Sequence, residues 1–119
     1  MEILGNLLVG IVAILHALFL VLEMLLWTKP LGRKIFHLSE QKARDTAVMA
    51  ANQGLYNGFL SAGLIWGMLA SHTSRDILFF FLICVIIAGV YGAITANRII
   101  FWIQAFPALL ALSVILYTS

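Results

Sequence analysis

The stretch ILGNLLVGIVAILHALFLVLEMLLW, residues 3–27, decides the fold: it is almost wholly apolar, yet carries His16 and Glu23. It exceeds the ~20 residues that an α-helix needs to cross a bilayer. Three further apolar runs, 47–70, 77–95 and 99–117, have comparable length and leave little chain between them. The pattern predicts an all-α protein: a four-transmembrane-helix bundle forming one integral membrane domain over residues 1–119. Glu23 is the only carboxylate within any of the four runs. An ionisable group in hydrocarbon costs about 2.5–3.5 kcal/mol on insertion scales, which marks it as a candidate functional residue.

With 63% hydrophobic and 10% charged residues in 119, no soluble domain fits beside four spans. A chain this short exposes too much of its surface to bury that apolar surplus in a water-soluble core. Lys29, Arg33, Lys34, Lys42 and Arg44 lie between runs one and two, and Arg98 between runs three and four. Only Arg75 stands between runs two and three. Basic residues favour the cytoplasmic side, so both termini are expected outside, with the long first connection and the Arg98 turn in the cytoplasm, in a multi-pass membrane protein. The basic connection is expected to rest on anionic headgroups of the lipid bilayer. Nothing supports a soluble nucleic-acid-binding face. Residues 3–27 lack a basic leader and a small-residue cleavage site, so they read as a span and not a signal peptide.

Trp27 suits a membrane interface, and Thr28, Lys29, Pro30, Leu31 and Gly32 are expected to break the first helix. Leu31, Ile35 and Leu38 recur at near-helical spacing amid basic residues. They predict a short interfacial segment between helices one and two, the alternative being a solvated connection. Asp76 sits where a helix N-terminus favours a carboxylate. Ala96, Asn97 and Arg98 leave room only for a tight turn. Ala50, Gly54, Gly58 and Ala62 form one small-residue ridge, with Gly63 and Gly67 beside it. Cys84, Ala88, Gly92 and Ala96 form another, with Gly89 and Ala93. Such ridges let helices approach closely in lipid. They predict packing of spans two and three, or alternatively a homodimer interface.

Depth groups the polar residues. Counting ~1.5 Å per residue from the expected cytoplasmic ends, Glu23, Asn52, Gln53, Tyr91 and Gln104 fall in one layer. His16, Tyr56 and Asn57 fall nearer the midplane. These eight residues are the candidate ligand-binding set for a polar cavity open to the cytoplasm. Polar glue between helices is the plain alternative. His16 and Glu23 share a helix face about two turns apart and cannot bond each other directly. His16 is expected to bond Asn57 or Tyr56, or alternatively to carry protons beside Glu23. His37 and His72 lie in connections. One histidine and one carboxylate are too few for a metal site, and the lone Cys84 reads as a small core residue. No nucleophile triad, phosphate loop or dinucleotide fingerprint is present, and no cofactor is implied.

The run Asn52-Gln53-Gly54-Leu55-Tyr56-Asn57-Gly58-Phe59, preceded by His16, Glu23 and Trp27, resembles the small four-span bacterial membrane proteins of domain of unknown function 1304. Gly89-Val90-Tyr91-Gly92-Ala93, Gln104 and Pro107-Ala108-Leu109-Leu110 extend the resemblance over nearly the whole chain. It implies an integral membrane protein of four helices and brings no catalytic residues. The residues themselves suggest binding or transport of a small, partly apolar or cationic molecule. An intramembrane enzyme acting on a lipid or isoprenoid, with Glu23 and His16 as acid and base, is the second reading. A scaffold using the small-residue ridges is the third.

Overall fold

Apolar side chains at helical spacing, with few internal breakers, give helices throughout the described residues, 2–118 in this computed structural model, and no strand among them. The order is α1 (Glu2–Leu20), a π-helical turn (Val21–Leu25), α2 (Pro30–Phe36), α3 (Glu40–Leu69), α4 (Ser74–Thr95), a second π-helical turn (Phe101–Ala105) and α5 (Phe106–Tyr117). Two helices are long and apolar enough to cross a membrane, Glu2–Leu25 and Ser74–Thr95. The other two expected spans do not meet that measure. In α3 the amides of Asn52, Gln53 and Asn57 dilute the apolar run, and Phe101–Tyr117 is shorter.

The first helical stretch ends at Leu25, just ahead of the expected break at Thr28–Gly32, and Pro30 opens α2, the expected short segment, because its missing N–H and fixed φ suit the first helical turn. α2 ends at His37, whose φ of 55° is left-handed. The His37 and Leu38 amides close back onto the Lys34 and Arg33 carbonyls, as in a Schellman cap. α3 begins at Glu40, ahead of the apolar run, because Ser39 Oγ accepts the Lys42 N–H at 3.1 Å and caps it.

The chain divides into two compact units. The first takes the described residues up to Ile14 and those from Leu60 onward. Its core joins Val9, Val12 and Ala13 of α1, Leu64 of α3, Leu78, Leu82 and Val85 of α4, and Ala108, Ala111, Leu112 and Ile115 of α5. Small residues set the spacing. A Cβ at Gly89 would lie 2.6 Å from the Ala105 backbone nitrogen, so α4 and the second π turn approach almost backbone to backbone. Gly63 faces the Phe81 ring, and Gly67 faces Leu78. Ser61 Oγ donates to the Ala13 carbonyl at 2.9 Å, tying α3 to α1 within the same unit.

The second unit is Leu15–Phe59. Here Gly54 and Gly58 pack against α1 and its π turn: a Cβ at Gly58 would meet Leu20 Cδ1 at 2.6 Å. The first ridge therefore faces span one, while Gly89 and Gly92 face Ala105 and Ile100. Of the expected packing between spans two and three, only Gly63 and Gly67 supply it. Trp27 Nε1 donates to Thr46 Oγ1 at 3.0 Å and its ring packs on Phe36 at 4.8 Å, joining all the helices of this unit near the connection.

Candidate functional site: a histidine–asparagine–glutamate chain

Within the Leu15–Phe59 unit, one amide joins the two ionisable residues of the first apolar run. Asn57 Oδ1 lies 2.8 Å from His16 Nδ1, and Asn57 Nδ2 donates to Glu23 Oε1. The amide oxygen can only accept, so His16 Nδ1 carries the hydrogen and donates. Both faces of the Asn57 amide are thus engaged, and the direction of donation runs from His16 through Asn57 to Glu23. His16 and Asn57 are only 1% and 4% exposed, whereas Glu23 is half-buried. The Phe19 ring meets the imidazole edge-to-face at 5.4 Å, so the histidine is held by apolar and polar contacts together.

Local backbone brings Glu23 to this position. It lies in the middle of the first π turn, closed by the Leu26 N–H bonding the Val21 carbonyl at 3.1 Å. A π turn accommodates an extra residue and swells the helix, and such turns occur often at functional sites. The swelling is tolerated because Gly54 stands opposite. A Cβ at residue 54 would come 2.7 Å from Met24 Cγ and 3.1 Å from Glu23 Cβ. Only Oε1 of the Glu23 carboxyl takes part in the described hydrogen bonds. The arrangement presents a carboxyl with one oxygen fixed from inside, on an otherwise apolar turn with Met24 and Leu25 exposed.

The remaining candidates separate. Asn52, Gln53 and Tyr56 are exposed on α3 and join none of the described side-chain hydrogen bonds. Depth sets Glu23 in one layer with Asn52 and Gln53, but its partner is Asn57 of the deeper layer, about one turn further along α3. Tyr56 instead packs edge-to-face on Phe59. Tyr91 and Gln104 belong to the other unit. Tyr91 is 69% exposed, and its carbonyl accepts the Thr95 hydroxyl. Gln104 is half-buried in the second π turn. Among the described residues no group of three His, Cys, Asp or Glu side chains could hold a metal ion.

Residues 10–116 match a family model described as "Protein of unknown function (DUF1304)". The chain belongs to this family. It is also similar to "Uncharacterized protein YpaA" of Lactococcus lactis subsp. lactis (strain IL1403), with 32% identity over 81 residues, covering 66% of this chain and 68% of that relative. No solved structure matches the chain. The family match takes in every candidate residue from His16 to Gln104.

Sequence reasoning missed both π turns. For the second, a signal existed. Pro107 lacks an N–H and its ring crowds the carbonyl four residues back, so a widened turn just before it relieves the clash. The proline after the first, Pro30, lies five residues beyond Leu25 and opens α2, so it does not crowd that turn, whose sequence trace is Gly54 on another helix.

Proposed function

We propose that this DUF1304 member is a four-span membrane protein that binds, and carries across the bilayer, a small, partly apolar cation at Glu23. The spans are α1 with its π turn, the apolar part of α3, α4, and the second π turn with α5. Their connections carry six Lys/Arg on one side against Arg75 on the other, which supports cytoplasmic placement of Arg33 and Arg98. Residues 40–69 are ~45 Å of helix, enough to cross and to project beyond the headgroups.

The observation that carries the reading is the half-buried Glu23 carboxyl, held through Oε1 alone on a widened turn. A purely structural acid would be expected to satisfy both oxygens, since each unpaired polar group in hydrocarbon costs several kcal/mol. A cation would complete the carboxyl, and Met24, Leu25 and Tyr56 offer apolar and aromatic surface within the same unit. His16 and Asn57 hold the carboxyl in place. A proton leaving or entering at Glu23 would couple binding to the proton gradient.

The test is uptake of tetraphenylphosphonium into proteoliposomes under an imposed proton gradient. Gradient-dependent uptake that disappears in Glu23→Gln, with the fold retained, is expected. Gradient-independent uptake, or uptake equal in Glu23→Gln, would contradict the reading. Conversion of a reconstituted lipid without any gradient would favour the acid–base enzyme instead.

A further inference from the structure

Two apolar grooves of similar size lie on α4, one toward each end. One is lined by Val90, Ala93, Ile94, Arg98, Phe101 and Trp102, with a volume of about 510 Å³. The other is lined by Trp66, Thr73, Asp76, Ile77, Phe80 and Phe81, with a volume of about 470 Å³. Their walls are alike in chemistry, and their mouths differ in charge. Arg98 follows the C-terminal end of α4, whereas Asp76 lies in its first turn.

We infer that the Arg98 groove is a binding site for an anionic phospholipid, with an acyl chain along Val90, Ile94 and Trp102 and the phosphate at the Arg98 guanidinium. Three observations point to a phospholipid rather than a compact apolar ligand. The groove is open along one side and its walls are aliphatic and aromatic, as an extended chain requires. Arg98 is exposed; its carbonyl accepts the Phe101 N–H at 3.1 Å, but its guanidinium joins none of the described hydrogen bonds or ion pairs, so those donors are available to a planar, bidentate phosphate contact. Trp102 is 61% exposed and packs on both Phe101 and Phe106, a rigid aromatic shelf of the kind that sits at headgroup level. Charge selects the lipid class. An anionic headgroup gains at Arg98 and would be repelled at Asp76, so the second groove is an internal control on the same helix.

The inference rests on the membrane reading of α4 but not on Glu23. Its test is native mass spectrometry of the full chain released from bilayers of equal phosphatidylglycerol and phosphatidylcholine, after carbonate extraction to establish insertion. The expected result is retention of phosphatidylglycerol about fivefold over phosphatidylcholine, the preference of one basic residue near the surface. Arg98→Gln should abolish the preference, Arg98→Lys should keep part of it, Asp76→Asn should not lower it, and Glu23→Gln should leave it unchanged. Preference should also weaken as salt in the release buffer rises. An inserted protein that retains both lipids equally, or whose preference survives Arg98→Gln, overturns this inference alone. A protein stripped from the bilayer by carbonate overturns the membrane reading together with it.

Discussion

The two π turns widen their helices in the same way and for different reasons. The turn at Phe101–Ala105 precedes Pro107, buries Ala105 completely and packs against Gly89 of α4. Proline explains it, and close packing uses it. The turn at Val21–Leu25 has no proline within its own helix, Pro30 opening the next one, and no fully buried residue, yet it carries Glu23 and faces a glycine that leaves it room. A distortion that its own sequence does not require must be offset by something the distortion achieves. What it achieves is the placement of a carboxyl on the Asn57 amide. One wide turn serves packing; the other holds the carboxyl of the proposed site.

That contrast can be broken most forcefully at the glycines. Gly89→Val would drive a side chain into the Ala105 backbone, which cannot swing aside, and should cost about 3 kcal/mol or prevent assembly. Gly54→Val meets the Met24 side chain at Cγ first and not backbone, so its cost should be smaller, about 1–2 kcal/mol. Because Glu23 Cβ is next in line, however, it should reduce tetraphenylphosphonium binding more than Gly89→Ala does. Unfolding in detergent micelles, read beside probe binding, separates the two effects.

A second comparison sets Asn57 against Gln104. Asn57→Leu leaves both His16 and Glu23 without their shared partner and should destabilise the protein by about 2–3 kcal/mol. Gln104→Leu should cost about 1 kcal/mol or less, the ordinary range for polar groups between membrane helices. Equal losses in denaturant titrations would erase the distinction between the two turns. The smallest effect is expected at Pro107→Ala. It restores an N–H, lets the helix regularise, and should change stability by less than ~1 kcal/mol while leaving probe binding intact. A large loss of binding there would mean that the second turn is functional too.

Much of this was legible in the sequence, and the reasons are specific. The apolar runs fixed the helices, and Asp76 and the Ala96–Arg98 turn fell where expected, because both depend on local chain chemistry. His16 bonding Asn57 was foreseeable from depth along two helices. The choice of Asn57 over Asn52 or Gln53 as the Glu23 partner was not. Depth counted at an α-helical rise ignores a π turn, and helix azimuth is set by which glycine faces which neighbour. The start of α3 was not legible for another reason. Hydropathy locates where a helix becomes apolar, whereas Ser39 capping determines where it begins.

The most direct measurement is equilibrium binding of tetraphenylphosphonium to the purified full chain, comparing wild type, Glu23→Gln and Gln104→Leu at matched folded fraction. Saturable binding that Glu23→Gln weakens at least tenfold, and that Gln104→Leu leaves within about twofold, is predicted; a tenfold loss corresponds to about 1.4 kcal/mol. Binding that survives Glu23→Gln unchanged, or that Gln104→Leu weakens as much, would contradict the assignment of the first π turn as the site.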